Sequence, residues 1–468
     1  MSVKAGKFLT IGNGVLVDRL QQTGAGNVNV PTERILETGN ELAVATVRDT
    51  PELSYDMESL DCTIEPEAML VGLDEGSIAD GQILNFADAK PFDAVSPIKG
   101  SGTSKTSTRG VIVPQLQLES ASYRFGVRAN ATQTFTLRGD AQYTIPGTPY
   151  RQVFDVAGAG GVGPYTLTNT AIKVVEKGQD VYAVSVCVLK ADGSYERLFH
   201  GVDYTDTSTT VTLASGKAPA GSKIAICYGS TTSATFPQTI HPTPSVKPAA
   251  VRGKDIDLYV GTGPSVTATF TTTTGDATIT GDDFSSAWVG YTVEGTGIPE
   301  GTTILTVDGG GEELELSDDA TASGTVTVTL RPPLIRWAGV QSVELNWRVQ
   351  LETEDELGNP HHVASDYDVP EVSGSITMRP VTIEYLFDRI AQIANVPTNE
   401  IAGLLSSAAL ELQVRISHPE TGARLKTFRV RDARIVPPGL QARVNQKLEP
   451  QFQWSSDTGL LEIIKGEP

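Results

Sequence analysis

Three glycines with dinucleotide-binding spacing are the first residues in this sequence that could support chemistry. Gly158, Gly160 and Gly163 match the pattern G-x-G-x-x-G, and Arg151–Val156 before them has the character of a strand. A dinucleotide site also requires a helix directly afterwards, because the helix N-terminus points its backbone N–H groups at the pyrophosphate. The residues that follow are Pro-Tyr-Thr-Leu-Thr, which are typical of a strand or loop. We therefore interpret the glycines as a flexible joint, and we predict no cofactor.

A second candidate is the pair His361-His362, which lies within the acidic residues 352–368. Imidazole and carboxylate groups together could bind a metal ion. Their spacing, however, matches neither H-E-x-x-H nor an EF-hand loop. The preceding residues, Gly358-Asn359-Pro360, indicate a loop. We expect a solvated acidic hairpin loop and no metal site.

The other histidines and the cysteines show no catalytic spacing. His200, His241 and His418 form no recognisable Ser-His-Asp or Cys-His arrangement. Cys187 and Cys227 lie in apolar, strand-like runs, which favours two core thiols over a redox pair. No residue is expected to perform covalent chemistry, so we predict that the protein is not an enzyme.

Charge and composition exclude further classes of function. The chain has 468 residues, 56 of them Asp or Glu and 36 Lys or Arg, for a net charge of -20. This balance argues against a nucleic-acid-binding surface and against docking on anionic lipid. No apolar run approaches the roughly 18 residues of a membrane span, and the first residues lack the features of a signal peptide. We expect a protein that is made and kept in a cytoplasm, or released without a secretion signal.

Period-two alternation is the dominant pattern of the chain. Thr132–Arg138, Ser342–Leu351 and Glu411–Ile416 alternate as half-buried strands do, and Pro419–Gly422 predicts a hairpin turn. Together with abundant Gly, Pro, Thr and Val, these runs predict a mainly β fold.

Helical periodicity is confined to a few segments. Apolar residues three and four apart predict a helix over Pro380–Asn395 that covers one face of a sheet. Shorter helices are predicted from Thr398 to about Ser407 and over Pro66–Leu73.

Two stretches differ from their surroundings and predict small all-β modules inserted at loop tips. Module 1, residues 151–245, lies between a Gly-rich and a Ser/Thr/Pro-rich joint. Module 2, residues 263–333, is predicted to be Ig-like; it begins with a Thr-rich run and ends at Pro332-Pro333. Residues 263–330 contain 11 acidic residues and no Lys or Arg. The core then comprises residues 1–150, 246–262 and 334–468. Module 2 is predicted to split a pair of core strands, one of which ends at Gly261 while the other begins at Leu334.

Several sequence segments of this core resemble segments of a known family. The segments are residues 49–61 (DTPELSYDMESLD), 128–140 (RANATQTFTLRGD), 251–260 (VRGKDIDLYV), 341–349 (QSVELNWRV) and 431–445 (RDARIVPPGLQARVN). These segments, and their arrangement along the chain, resemble the major tail, or tail tube, proteins of long-tailed bacteriophages. Residues 293–305 (VEGTGIPEGTTIL) look like a small β module that is grafted onto phage structural proteins.

The resemblance implies a fold and a function. The fold would be a tail-tube β-sandwich or barrel core with one packed helix at about 380–395. Copies of the chain would form hexameric rings that stack into a tube in the virion tail, after synthesis in the cytoplasm of the bacterial host. The N-terminal 50 residues and residues 352–368 would contact the next ring.

The resemblance also implies partners. The tube would contact tape measure and tail terminator proteins, and genomic DNA would pass through the lumen without tight binding. The alternative is a tail-tip protein or adhesin that recognises carbohydrate through the two modules. A tube whose modules contact host glycans weakly is compatible with the first hypothesis.

Overall fold

The computed structural model describes most of the chain. The described residues are 11–12, 15–16, 20–29, 32–35, 45–48, 52–99, 107–139, 142–157, 161–176, 178–232, 250–281, 283–299, 301–354, 364–394, 409–436 and 449–467. Within them the protein is mainly β, as the sequence predicts.

Antiparallel strands account for the first part of the core. They are β1 (Ile11–Gly12), β2 (Val15–Leu16), β3 (Leu20–Asn29), β4 (Thr32–Ile35), β5 (Ala45–Arg48), β6 (Glu52–Ser59), β7 (Ile83–Asn85), β8 (Phe92–Lys99), β9 (Ser107–Gly126), β10 (Thr132–Gly139) and β11 (Tyr143–Ile145). Module 1 follows, and its first strand begins before the predicted boundary at residue 151. Its strands are β12 (Thr148–Asp155), β13 (Tyr165–Thr166), β14 (Val174–Glu176), β15 (Gln179–Val181), β16 (Ala183–Leu189), β17 (Tyr195–Leu198), β18 (Tyr204–Asp206), β19 (Thr210–Leu213) and β20 (Lys223–Ser230).

The chain then returns to the core, leaves it for module 2, and returns again. The returning strand is β21 (Ile256–Gly261). Module 2 contains β22 (Val266–Thr272), β23 (Thr278–Thr280), β24 (Thr292–Gly295), β25 (Ile304–Val307), β26 (Glu313–Leu316) and β27 (Gly324–Arg331). The last part contains β28 (Leu334–Arg336), β29 (Val340–Arg348), β30 (Leu351–Glu354), β31 (Ala364–Tyr367), β32 (Glu371–Met378), β33 (Ala409–Ser417), β34 (Arg424–Val436), β35 (Gln451–Ser456) and β36 (Glu462–Lys465).

The described helices are α1 (Glu65–Leu70) and α2 (Ile383–Ala394), with 3-10 turns at Glu75–Ser77, Phe86–Asp88, Gly253–Asp255 and Ser286–Trp288. Helix α2 confirms the predicted long helix, but it begins at Ile383 because the Thr382 hydroxyl accepts a hydrogen bond from the Tyr385 N–H and caps it. Among the described residues, no helix is both long and apolar enough to span a membrane.

Helix α1 is shorter than predicted at its C-terminal end. Gly72 has φ +73° and its N–H donates to the Met69 carbonyl, while the Leu73 N–H donates to the Ala68 carbonyl. This pair of bonds is a Schellman motif, which ends the helix before residue 73. The helix predicted from Thr398 to Ser407 lies outside the described residues.

One long strand, β9, belongs to two sheets. Its first half pairs with β8 and β11, and its second half pairs with β10 and β29. Gln115, with φ +56°, lies between the two halves. The second half is central in the large core sheet, whose order is β3-β6-β10-β9-β29-β32-β35-β34-β33-β21-β28. Strand β36 also pairs with β34, and β7 pairs with β36.

This sheet folds over so that β34 faces β9 across an apolar core. The rings of Tyr123 and Phe428 lie with centroids 4.4 Å apart. Helix α2 adds Leu386, Ile390 and Ile393 to the same buried cluster.

A buried cation also lies in this core. Lys426 Nζ donates to the Thr63 carbonyl (2.8 Å), Glu67 Oε1 (2.6 Å) and Gln133 Oε1 (2.8 Å), which uses all three of its N–H groups. The contacts join β34 to α1 and β10 and compensate the charge inside the core.

Module 1 packs on two sides. Strands β12-β20-β16-β17 form a sheet, and its inner face packs Val186, Val188, Ile224 and Ile226 with Val211 of the β13-β19-β18 sheet. The opposite face adds further residues to the main core, namely Cys187, Leu189, Tyr195 and Ala225. Module 1 is therefore continuous with the core by packing.

Module 2 has a sheet and an apolar cluster of its own. Its strand order is β24-β27-β22-β23-β26-β25. The Val293 N–H donates to the Thr302 carbonyl (2.8 Å) and the Ile304 N–H to the Tyr291 carbonyl (2.9 Å), so the two outer strands approach each other and the sheet closes. On the core side, Gly261 of β21 lies opposite Leu334 of β28, which confirms the predicted strand pair.

Candidate functional site

The structure does not build a nucleotide site around the glycines that are described. Gly158 and Gly160 lie outside the described residues. Gly163 is followed by Pro164 and then by strand β13, so no helix N-terminus stands at this position to receive a pyrophosphate.

The described histidines bind neighbouring side chains and turns. His200 Nε2 lies 3.2 Å from Asp206 Oδ1, and its Nδ1 lies 3.4 Å from Gln179 Oε1. His418 Nδ1 accepts from the backbone N–H groups of Glu420 and Thr421 (3.2 Å each), and so shapes the β33–β34 turn.

His241 and the pair His361-His362 lie outside the described residues. Within the described ranges, no group of three or more His, Cys, Asp or Glu side chains is placed to hold a metal ion.

Cys187 and Cys227 are both buried thiols that form no disulfide, as predicted. They lie on the adjacent strands β16 and β20, where Cys187 faces Ala225 and Cys227 faces Ser185. Burial raises the pKa of Cys187 to about 12 and that of Cys227 to about 11. Both groups therefore remain protonated, unreactive core residues near neutral pH.

The main-chain edges of the core sheet are the feature best suited to binding another protein. Within the described residues, β3 pairs with β6 on one side and with no strand on the other over its 10 residues. At the opposite end of the sheet, β28 pairs with β21 alone among the described strands. An edge strand presents a row of backbone donors and acceptors that another chain can pair with.

Two hairpins extend this set of open edges. Strands β4 and β5 pair only with each other among the described residues, and so do β30 and β31. An isolated two-stranded hairpin is marginally stable in water, so each is a candidate for a contact outside the chain. The β30–β31 hairpin lies in the acidic segment 352–368 that was predicted to contact a second subunit; residues 355–363 are outside the described part.

No protein-family model matches the chain, and no curated protein matches it. The identification as a tail tube protein therefore stays a prediction. It depends on the core segments that resemble this family and on the sheet edges described above.

Proposed function

We propose that the chain is a structural subunit of a bacteriophage tail tube, which assembles with copies of itself into stacked rings. The observation that supports this most directly is the large core sheet with β3 unpaired along one edge, together with two hairpins that have no strand partner in the described part of the chain. A subunit that functions alone gains nothing from such edges, and they expose it to aggregation.

Ring closure would satisfy the edges. If β3 of one copy lies beside the far end of the core sheet of the next, the interface is head-to-tail, and repeated interfaces of this kind either close into a ring or extend as a filament. A closed ring leaves no free edge, as in a closed barrel. The hairpins β4–β5 and β30–β31 are then free to contact the ring above or below.

The charge of the core suits a channel for DNA. Outside the two modules, acidic residues exceed basic ones, so a wall built from these segments repels phosphate. Genomic DNA would pass through such a lumen without being held. Tape measure and tail terminator proteins are the partners expected inside the tube and at its end.

The aromatic residues of module 2 give little support to the carbohydrate-binding alternative. A sugar-binding face requires exposed rings for stacking. Phe270 and Phe284 are buried, and Trp288 and Tyr291 pack against the same apolar cluster. Two of these rings thus belong to the core of the module, and the other two are partly buried against it.

Electron microscopy and light scattering of the purified full chain test the proposal. We expect rings or striated tubes with lateral knobs in negative stain, and a mass that rises with concentration. A particle that stays monomeric across the whole concentration range contradicts the proposal.

A variant without the β30–β31 hairpin tests whether this hairpin makes the contact between stacked rings. Gln350 and Asp368 are joined by a backbone hydrogen bond of 3.0 Å, so an Asn-Gly turn can replace residues 351–367 without separating β29 from β32. This variant should keep the melting temperature of the parent and lose ring stacking. Asn-Gly in place of residues 262–333 is the matched control, and it should still stack.

A further inference from the structure

Module 2 and the core each have an apolar cluster of their own, and ion pairs join the two. Module 2 buries Phe270, Val293, Ile304 and Leu330 in one cluster, and none of its described residues belongs to the main cluster of the core. Interfaces of this kind between parts of one chain permit relative motion unless a specific contact prevents it.

A glutamate of module 2 makes one specific contact with the core. Glu294 Oε2 lies 2.9 Å from Arg431 Nη1 of β34, and Glu294 Oε1 lies 2.7 Å from Arg331 Nε at the end of β27. Glu294 therefore pairs with Arg331 inside its own module and with Arg431 on the core sheet.

Further charges surround this pair. Arg431 Nε also lies 2.9 Å from Glu462 Oε1, and Arg331 Nη1 lies 3.6 Å from Glu411 Oε2. A cleft of about 550 Å³ separates module and core at this point, and its walls include the apolar Ile83 and Ile298 as well as Gln413. The charged side chains therefore bridge a gap that the apolar side chains leave unfilled.

The chain connections allow the module to turn. Residues 262–265 lead from β21 into the module, and Pro332-Pro333 lead back to β28. The Thr262 N–H donates to the Pro333 carbonyl (3.1 Å), so the two connections lie side by side and define a single axis. Hinges of this kind consist of a few residues at the ends of elements.

We propose that module 2 is a swivelling unit that the ion pair between Glu294 and Arg431 holds in one orientation. The side chains of Glu294 and Arg431 are 39% and 27% exposed, so water and salt screen the pair, and the latch is weak enough to open. Removal of the Glu294 charge leaves Arg431 paired with Glu462 and Arg331 close to Glu411, so each arginine keeps a carboxylate neighbour.

Distance measurements by electron spin resonance test the latch in the full chain. Labels attached to D319C in module 2 and D88C in the core report the separation, and the native thiols are buried. The wild type should show one narrow distance distribution. E294Q should broaden it and raise the population of the open form by up to about fivefold, the factor that a surface ion pair of up to 1 kcal/mol contributes. Adding 1 M salt to the wild type should have the same effect.

The control is E312Q, which removes the same charge from an exposed loop of the same module and should leave the distribution narrow. R431Q added to E294Q should produce no further opening, because the two residues form one contact. An E294Q distribution as narrow as that of the wild type, or a wild type as broad as E294Q, overturns the proposal.

Discussion

The guanidinium of Arg197, in module 1, donates a hydrogen bond to the carboxylate of Asp93, in core strand β8, and the side chains are only 7% and 3% exposed. The same carboxylate oxygen accepts the backbone N–H of Gln115 at 3.0 Å, at the left-handed kink of β9. Asp93 therefore connects module 1 to the point where β9 passes from one sheet to the other.

Replacement of Arg197 by methionine should destabilise the whole protein. The variant leaves the Asp93 carboxylate buried without its cation, which typically costs about 3–5 kcal/mol. Chemical denaturation followed by tryptophan fluorescence measures the loss. K173M, which breaks the exposed pair between Lys173 and Asp180, is the control and should leave the midpoint unchanged. An R197M midpoint equal to that of K173M would show that the buried pair contributes nothing.

Deletion of module 2 should change the stability of the protein little, whereas deletion of module 1 should destroy the fold. With Asn-Gly in place of residues 262–333, β21 and β28 become a simple hairpin because Gly261 and Leu334 are already partners. The melting temperature should shift by about 4 °C or less, the change that roughly 1 kcal/mol produces. Replacement of residues 149–229 instead removes Leu189, Tyr195 and Ala225 from the main core and should abolish cooperative melting. Differential scanning calorimetry distinguishes the two results; equal tolerance of both deletions would contradict the packing described for module 1.

The cysteines should not react while the protein is folded. Burial raises the pKa of Cys62 to about 11, and Cys187 and Cys227 are likewise shifted upward. At pH 8 the thiolate form is therefore scarce as well as inaccessible. A disulfide reagent should titrate no thiol in the native state and all 3 in denaturant. Rapid reaction of one equivalent in the native state would place a thiol at the surface.

Glu411 should make stability depend on pH. Burial raises its pKa in the folded state above the ordinary value, so ionisation costs more in the folded chain than in the unfolded chain. Its contribution to stability is complete below the unfolded pKa and is lost as pH rises through the folded pKa. E411Q keeps the group neutral, so it should melt higher than the wild type at pH 7 and at the same temperature near pH 4. Melting curves at the two pH values test this, with E420Q, in an exposed turn, as the control. An E411Q variant that is less stable at pH 7 would show that the contact of Glu411 with Arg331 outweighs its burial.

Local patterns predicted much of the fold. The runs Thr132–Arg138 and Glu411–Ile416 lie within β10 and β33, and the turn Pro419–Gly422 joins β33 to β34. These features depend on neighbours in sequence, which periodicity records. The residues on the two sides of the kink at Gln115 belong to one strand, β9, and local alternation does not show this because the kink interrupts it.

Long-range contacts could not be predicted in the same way. The partners Asp93 and Arg197 lie 104 residues apart, and no local pattern relates them. Lys426 could have been noticed, because it shares the apolar phase of its strand with Phe428 and Val430 and is therefore a charge at a core position. Its partners Glu67 and Gln133 become evident only in the folded chain. The open edge of β3 likewise follows from the sheet order, which the strand pattern alone leaves undetermined.

The sharing of β9 between two sheets determines how the molecule comes apart. Separation of β8 and β11 from the first half of this strand removes support from the half that pairs with β10 and β29, and the reverse also holds. The backbone amides of both sheets should therefore lose their protection against hydrogen exchange together, as one cooperative unit. Module 2 shares no strand with either sheet in the described part of the chain, so its amides can exchange through a separate, lower-energy opening.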